Sequence, residues 1–328
     1  MARPKVLLTN PIDPSGARII GELADIVVAA DAKAATFYRM ICDADVLVVR
    51  SHLPADLFDR PHHLRGIVRH GVGLDMIPME AATAQGIPVA NVPAVNAEAV
   101  AEYCVSGMLL LIRRMHRLDR DLRATDWNTS RKVADEATEL CGRTVGIVGV
   151  GNVGRRVAEI CHAGFRMRVL GNQRRLDALP DFVAGVDIDT LFRESDFIVL
   201  NCPLTPATNN LVNAARIEIM KRTAFIINAA RGQVIDEDAL VAALRVRRIA
   251  GAVLDVYCEQ PLRRDHPFLT LENVILTPHA AGLTQESMQR MSEGAAHEVV
   301  RLLAGERPVN LVNPEIWDNY AARRRAAS

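Results

Sequence analysis

The sequence predicts an α/β protein with two lobes, each built on a parallel sheet of the Rossmann-like or flavodoxin-like type. The chain has 328 residues, against ~150 for a typical domain. Short β-branched runs alternate with longer stretches rich in Ala and Leu. These runs are apolar throughout, which is typical of parallel strands covered by helices on both faces. Two series of such runs therefore predict two α/β lobes.

The two series follow one another along the chain. Strands of the first lobe are expected at residues 6–9, 26–29, 46–49 and 66–69, and strands of the second at residues 144–148, 167–170, 197–200, 224–228, 251–254 and 273–276. Long helical stretches at residues 96–117 and 286–303 bracket the second series. The second lobe, residues 98–287, is therefore expected to be inserted into the first, which would combine residues 1–97 and 288–328.

The composition argues against several partners and locations. The 39 Lys and Arg residues balance the 39 Asp and Glu residues, so there is no bulk positive field for nucleic acid. The longest apolar stretch, residues 105–112, is far shorter than the ~20 residues that cross a bilayer, and the N-terminus lacks the apolar core of a signal peptide. The six cysteines are widely separated, which predicts reduced thiols and no metal site. A cytoplasmic protein with no nucleic-acid or membrane partner is expected.

A glycine-rich loop predicts a dinucleotide site in the second lobe. Gly149, Gly151 and Gly154 follow an apolar strand and open a helix. The first glycine allows a tight turn, the second lets the backbone approach a pyrophosphate, and the third lets the helix pack closely on the strand. The N–H groups at Asn152 and Val153 then lie at the helix N-terminus, where they can bind the pyrophosphate.

The residues after the next strand indicate which dinucleotide is bound. NAD-binding proteins carry an acidic residue about 20 residues further on, but here the strand is followed by Gln173, Arg174 and Arg175. A guanidinium group binds phosphate through two hydrogen bonds. The sequence therefore favours NADP(H), with NAD(H) as the alternative if the two arginines are only exposed loop residues.

Several further segments occur in a characteristic order and spacing. They are RHGVGLDMIPMEAATAQGIPVANVPAVNAEAVAEY (69–103), LNCPLTPATNNLVN (200–213), NAARGQVIDEDAL (228–240), AGAVLDVYCEQP (250–261) and TPHAAGLTQES (277–287). Together with the glycine loop they resemble the D-2-hydroxyacid dehydrogenase family, and within it the glyoxylate/hydroxypyruvate reductases. The resemblance implies a substrate lobe completed by the C-terminus, an inserted cofactor lobe and a homodimer. It also implies hydride transfer between a nicotinamide and C2 of a small 2-keto or 2-hydroxy acid.

The resemblance assigns three catalytic positions. Arg231 would bind and polarise the keto acid, and His279 would exchange a proton with its oxygen. The family's glutamate falls on Gln260, which can orient His279 but cannot stabilise its charged form. Ketone reduction is therefore expected to fade at lower pH than in a glutamate-bearing relative. Formate dehydrogenases also resemble this chain in having glutamine at that position, so an oxidoreductase of that type is kept as an alternative.

The resemblance also implies binding residues in both lobes. The two glycines of the loop at residues 70–75 expose backbone N–H groups that suit a carboxylate. The expected substrate-binding residues are Arg50, Ser51, His70, Val72, Gly73 and Asn96. Further cofactor contacts are expected at Cys202, Pro203, Thr208, Ala229, Ala230, Asp255, Ala281 and Gly282. If two of the basic side chains near the loop, such as Arg50, Arg69 and His70, face the substrate, it would carry a second anionic group.

One alternative belongs to a different class of function. C-terminal-binding proteins, which are dinucleotide-sensing co-repressors, are similar in fold and in much of this pattern. Turnover of any 2-keto acid would distinguish the enzyme from the co-repressor.

Overall fold

The computed structural model describes residues 3–327 of the chain. Twelve strands are formed within these residues: β1 Lys5–Leu8, β2 Asp25–Val28, β3 Val46–Val49, β4 Gly66–Arg69, β5 Val89–Ala90, β6 Thr144–Val148, β7 Arg168–Asn172, β8 Val183–Gly185, β9 Phe197–Leu200, β10 Phe225–Asn228, β11 Gly251–Leu254 and β12 Val274–Leu276. The α-helices of the same residues are α1 Pro14–Gly21, α2 Ala34–Met40, α3 Met79–Ala84, α4 Ala97–Ile112, α5 Met115–Ala124, α6 Trp127–Lys132, α7 Asn152–Glu159, α8 Ile188–Glu194, α9 Ala214–Ile219, α10 Glu237–Arg245, α11 Gln285–Ala304 and α12 Trp317–Ala327. The chain divides into two compact units. One combines the segments that end at Asn96 and begin at Leu283, and the other is Ala97–Gly282.

The first unit is built on a five-stranded parallel sheet in the order β2-β1-β3-β4-β5, the strand order of flavodoxin-like folds. The C-terminal part of the chain completes this unit. Helix α11 packs closely on α1, since a Cβ at Gly16 would lie 2.4 Å from the Ser292 carbonyl oxygen. Beyond α11, Leu311 pairs with Ala90, and the Asn313 side chain accepts a hydrogen bond from the Val89 N–H at 2.9 Å.

The second unit is built on a seven-stranded sheet in the order β12-β11-β10-β9-β6-β7-β8, and every strand pair is parallel. This is the Rossmann-type order, and the direction of winding reverses between β6 and β9. In such sheets, ligands bind at the carboxyl ends of the strands beside the reversal. The glycine loop follows β6 and the segment beginning at Asn201 follows β9, so both lie at this point.

The prediction of two parallel α/β lobes is confirmed, and the differences from the expected elements have local causes. Strands β5 and β8 were not predicted, because two or three residues at a sheet edge are too short to form an apolar run. The helix expected at residues 96–117 breaks at Arg114, which takes a left-handed conformation with φ 52°. Helix α4 buries apolar residues as far as Ile112, whereas the chain that follows is too polar to continue that buried face. The second junction between the units precedes Thr284, the N-cap of α11, rather than cutting the first turn of that helix.

Three further properties concern the described part of the chain. No helix within residues 3–327 combines the length and apolar character needed to cross a membrane. No cluster of three or more His, Cys, Asp or Glu side chains in the same residues is arranged to hold a metal ion. All six cysteines are free thiols.

Candidate active site

The glycine loop leaves room for a ligand at only one of its three glycines. Gly149 has φ +90°, and a Cβ there would lie 2.8 Å from the backbone nitrogen of Cys202. A Cβ at Gly154 would lie 2.1 Å from the Gly149 carbonyl oxygen, whereas a Cβ at Gly151 would meet nothing within 4 Å. The first and third glycines are therefore required by the chain's own packing. The second faces open space, as expected of a backbone that a pyrophosphate approaches.

The first turn of helix α7 is available to an anion. Gly151 is the N-cap of this helix, and no side chain caps the N–H groups that follow at Asn152 and Val153. The positive end of the helix dipole and uncapped N–H donors together form an anion site. These residues therefore fit the dinucleotide that the sequence predicts.

The end of β7 presents two arginines beside the glycine loop. The Gly149 N–H donates to the Asn172 carbonyl at 2.8 Å, which joins the end of β7 to the loop. The Gln173 side chain donates to the Arg175 carbonyl at 2.7 Å, so it shapes the turn. Arg174 and Arg175 are both exposed, and neither forms an ion pair with any other residue between positions 3 and 327.

The segment after β9 forms a wall at the same end of the sheet. Burial raises the pKa of the Cys202 thiol to about 11, so the group stays protonated and acts as a small apolar side chain. Thr208 closes the loop, since its hydroxyl donates to the Pro203 carbonyl at 2.7 Å and accepts from the Thr205 N–H at 2.8 Å. The side-chain nitrogen of Asn201 is buried and has no hydrogen-bond partner in the described part of the chain. Sequence reasoning missed Asn201, although it lies in a segment that carried the resemblance.

Arg231 is held at the end of β10 by a buried asparagine. Asn228 is 0% exposed, and its side-chain oxygen accepts from the Ala230 N–H at 3.0 Å while its nitrogen donates to the Arg231 carbonyl at 2.9 Å. The Arg231 guanidinium donates to the Ala230 carbonyl at 2.6 Å. Next in the chain, a Cβ at Gly232 would lie 2.0 Å from the carbonyl carbon of Tyr257. The arginine is therefore fixed against the segment that carries Gln260, and Asn228 is a second residue that sequence reasoning missed.

His279 and Gln260 form a direct hydrogen-bonded pair. The distance from His279 Nδ1 to Gln260 Oε1 is 2.9 Å. The amide is oriented by its own nitrogen, which donates to the Tyr257 carbonyl at 3.3 Å. Because an amide oxygen can only accept, Nδ1 of His279 must carry a hydrogen. Nε2 is then the atom of the ring that can give or take a proton, as a general acid or base requires.

Asp255 holds the turn that carries His279. Its carboxylate is 1% exposed. Oδ1 accepts from the Thr277 hydroxyl at 2.6 Å and the Ala280 N–H at 2.7 Å, and Oδ2 accepts from the Ala281 N–H at 2.9 Å. The His279 N–H donates to the Asp255 carbonyl at 2.8 Å. Asp255 was expected to contact the cofactor, whereas its side chain is committed to this turn.

A pocket of about 560 Å³ opens beside the His279–Gln260 pair. It contains the side chains of both members of the pair, and most of its remaining lining is apolar. The lining residues are Tyr257, Gln260, Pro261, Leu262, Leu276, Thr277, Pro278 and His279. The apolar wall favours a small organic molecule over a heavily charged one.

In the first unit, the loop after β4 uses its carbonyl groups in hydrogen bonds to side chains of the same unit. Arg69 donates to the Gly73 carbonyl at 2.8 Å and to the Val49 carbonyl at 3.0 Å, and the Asn91 side chain donates to the Val72 carbonyl at 3.0 Å. Within residues 3–327, no acceptor receives the N–H groups of Val72 and Gly73. The carbonyls of the loop are thus used internally, while two consecutive N–H groups are left for an anion, as in a nest.

His70 is a buried residue of the first unit. It is 3% exposed, and its Nε2 lies 2.8 Å from the Ser292 hydroxyl. Burial, with help from Arg50 and Arg69, lowers the pKa of His70 to about 3, so this side chain is neutral. Burial does not favour a direct contact with substrate, and the expected role of His70 stays a prediction.

The other expected substrate residues of this unit are also engaged. Arg50 donates to the Pro11 carbonyl, and burial lowers its pKa. The Ser51 hydroxyl donates to the Asn10 side chain at 2.5 Å, whereas Asn96 is half-buried at the end of the unit. Arg50, Arg69 and His70 all form hydrogen bonds within the unit, which does not favour a second anionic group on the substrate.

The two-sheet fold, the dinucleotide loop and the Arg231 and His279 turns together define a class, that of the nicotinamide-dependent oxidoreductases with an inserted Rossmann domain. Comparison with known proteins identifies the family. The family model of the D-isomer specific 2-hydroxyacid dehydrogenase NAD-binding domain matches residues 105–281. The chain is also 37% identical to a glyoxylate reductase of Thermofilum pendens, over 96% of each chain.

Solved structures agree with this comparison. An NADPH-dependent glyoxylate/hydroxypyruvate reductase from Sinorhizobium meliloti, in complex with NADP and malonate, has a TM-score of 0.84 and 28% identity, covering 95% of this chain and 98% of that one. An NAD-dependent formate dehydrogenase from Staphylococcus aureus has a TM-score of 0.83 and 28% identity, covering 93% and 96%. The chain belongs to the D-2-hydroxyacid dehydrogenase family. It is an NAD(P)-dependent oxidoreductase that acts on CH–OH groups and interconverts small 2-keto and 2-hydroxy acids.

Proposed function

We propose that the chain works mainly as an NADP(H)-preferring 2-keto acid reductase, in which Arg231 binds the substrate, His279 is the general acid and Gln260 orients it. The observation that carries the proposal is the 2.9 Å bond from His279 Nδ1 to Gln260 Oε1, because it leaves Nε2 to protonate a keto oxygen. The fixed planar cation of Arg231 suits a 2-keto acid, since it can hold the carboxylate and the keto oxygen at once. The N–H groups of Val72 and Gly73 are proposed as donors to a substrate carboxylate.

The chemistry divides between the protein and its cofactor. A bound nicotinamide supplies or accepts the hydride at C2 of the acid. Arg231 draws electron density toward the keto oxygen as negative charge develops there. His279 delivers its Nε2 proton to that oxygen, and Gln260 keeps the Nδ1 hydrogen in place throughout. In the oxidative direction, neutral His279 takes the proton back.

A reductase screen tests the proposal. Glyoxylate, hydroxypyruvate, pyruvate, sulfopyruvate and branched 2-keto acids are each supplied with NADPH and with NADH, and cofactor absorbance is followed. We expect turnover of small or apolar monoanionic acids in preference to sulfopyruvate, in line with the engaged cations of the first unit. Turnover of none of these acids, or oxidation of formate in their place, would contradict it.

The glutamine beside His279 predicts a specific pH dependence. In Gln260→Glu a carboxylate would face Nδ1 and stabilise the charged imidazolium, which raises the pKa of His279 relative to the unaltered chain. Since the charged form is the proton donor, its population persists to higher pH. We expect the alkaline limb of kcat for ketone reduction to move upward by about one pH unit. Glu259→Gln, one residue away and exposed, serves as the control and should leave the profile in place. An unchanged profile in Gln260→Glu would refute the orienting role.

The preference for NADP(H) is proposed from the two arginines after β7. Both are exposed and without ion-pair partners among the described residues, and no acid follows the strand where NAD-binding proteins carry one. A ribose 2′-phosphate would provide the missing partner. The complex of the Sinorhizobium meliloti reductase with NADP supports this proposal by analogy.

Removing both guanidinium groups tests the preference. In Arg174→Ala/Arg175→Ala we expect the KM for NADPH to rise by roughly 10- to 100-fold, from about 1.5–3 kcal/mol of lost charge-assisted hydrogen bonding, while the KM for NADH changes little. Initial rates with each cofactor at saturating keto acid provide the measurement. Arg222→Ala, another exposed arginine of the same unit, should leave both constants unchanged. Equal changes for the two cofactors, or an initial preference for NADH, would refute the proposal.

We also propose a homodimer. Helix α5 buries none of its residues, and the α5–α6 segment exposes Met115, Leu122 and, at 68%, Trp127. Large apolar side chains grouped on one segment favour burial against another chain. Light scattering of the purified protein should give twice the mass of the chain, and a monomeric mass would contradict the proposal.

A further inference from the structure

A chain of hydrogen bonds joins helix α4 to the turn that carries His279. The Tyr103 hydroxyl lies 2.6 Å from the Thr277 hydroxyl. The Thr277 hydroxyl in turn donates to Asp255 Oδ1 at 2.6 Å. Tyr103 lies on α4, which runs from Ala97 to Ile112, and it packs against an apolar cluster that includes residues of α4 and of the sheet. The mechanism proposed above makes no use of Tyr103 or Thr277.

The donor and the acceptor of each hydrogen bond in this series can be assigned. Thr277 has one hydroxyl hydrogen, which it donates to Asp255 Oδ1. The Thr277 oxygen must therefore accept from Tyr103, which makes the phenol the terminal donor. Burial raises the pKa of Tyr103 well above its usual range, so the phenol keeps its hydrogen at any working pH. Hydrogen bonds in a row polarise one another and end here on a buried carboxylate.

The turn that carries His279, at the Asp255 end of this series of hydrogen bonds, requires such support. His279 has φ 54°, a left-handed conformation that a non-glycine residue adopts only when its surroundings impose it. The Asp255 carboxylate imposes it through Ala280 and Ala281, whose N–H groups it accepts at 2.7 and 2.9 Å. Any rotation of that carboxylate would move the imidazole away from Gln260. The Thr277 hydroxyl, which the phenol holds in place, adds a third hydrogen bond to this carboxylate, on the same Oδ1 that accepts from Ala280.

We propose that Tyr103 is a positioning residue for proton transfer, which fixes His279 through Thr277 and Asp255. The inference rests on the proposed role of His279 as general acid. A general acid must lie within hydrogen-bond reach of the atom it protonates, so a loosened turn lowers the rate of the chemical step. The glycine loop at residues 149–154 lies on a different segment, so its own contribution to dinucleotide binding should be retained.

Removing one hydroxyl tests the proposal. In Tyr103→Phe we expect kcat for 2-keto acid reduction to fall by about tenfold, with the KM for the dinucleotide unchanged. Amide hydrogen exchange in a peptide covering residues 277–282 should become faster, while exchange in a peptide covering residues 144–158 stays the same. Tyr320→Phe is the matched control: this buried tyrosine also donates one hydrogen bond through its hydroxyl, to the Arg65 carbonyl at 2.7 Å, but belongs to the other unit. It should lower Tm by a similar amount and leave kcat unchanged.

Substitutions of Thr277, the middle residue of this series of hydrogen bonds, complete the test. Thr277→Val removes both hydrogen bonds and should lower kcat at least as much as Tyr103→Phe, whereas Thr277→Ser restores the hydroxyl and should retain most of the rate. Adding Tyr103→Phe to Thr277→Val should cause no further loss, because the two residues act in series. Additive losses, or unchanged exchange at residues 277–282 in Tyr103→Phe, would overturn the inference. Faster exchange at residues 277–282 with an unchanged kcat would instead refute His279 as the general acid.

Discussion

Replacement of His279 by asparagine is expected to lower kcat for 2-keto acid reduction by about 10²- to 10⁴-fold, the usual contribution of a positioned general acid. Asparagine is the informative substitution because it tolerates positive φ and should leave the turn at φ 54° intact. It cannot carry the proton that Nε2 delivers. Steady-state rates report the loss of proton transfer, and the KM for NADPH, measured on the same preparation, reports cofactor binding. This KM should stay within about threefold.

The control for this substitution lies in the first unit. His297 is exposed on helix α11, and His297→Asn should retain the full rate. The pH profile of kcat adds a second criterion, because the alkaline limb that reflects deprotonation of His279 should be absent in His279→Asn. A variant that keeps more than about a tenth of the rate and the original profile would exclude His279 as the general acid.

Arg231→Lys is expected to lower kcat/KM for the keto acid by about 10²-fold, although the positive charge is kept. A lysine ammonium is a point charge and cannot hold the carboxylate and the keto oxygen through two parallel hydrogen bonds. One charge-assisted bond contributes about 1.5–3 kcal/mol, and each 1.36 kcal/mol corresponds to tenfold in rate. Lysine also lacks the planar group that now donates to the Ala230 carbonyl at 2.6 Å, so its ammonium would be less well oriented.

The loss should appear in both kinetic constants. Weaker binding of the carboxylate raises the KM for the acid, and weaker polarisation of the keto oxygen lowers kcat. Arg222→Lys, at an exposed position, is the matched control and should behave as the unaltered chain. A rise in the KM for NADPH with no change toward the acid would place Arg231 in cofactor binding and contradict the proposed role.

Local sequence rules were sufficient for the parts of the site that depend on the backbone. Gly149, Gly151 and Gly154 were identified because each fills a steric need of a strand–turn–helix unit, and the structure shows why two of them admit no side chain. The departure at Gln260 was also visible in the sequence, because a motif of fixed length leaves no other residue for that position. The order of these motif residues along the chain was enough to identify them.

Contacts between distant segments were beyond the reach of the sequence. Asn228 looks like an ordinary strand residue, yet its buried amide fixes the Arg231 turn. Tyr103 precedes Thr277 by 174 residues, and no local pattern pairs the two. His70 is expected to face substrate because it adjoins a glycine loop, and the structure places its ring against Ser292, 222 residues away.

The two parallel sheets, the dinucleotide loop and the family follow from the sequence alone, because they depend on periodicity and on the spacing of short motifs. The hydrogen-bond partners of the polar side chains became visible only in the folded chain. Arg50, Arg69, His70 and Asp255 all carry functional groups that a substrate or cofactor could use, and in each case the chain uses them for its own hydrogen bonds. The physical reason is that a buried polar group must find a partner, and the available partner is set by which segments the fold brings together.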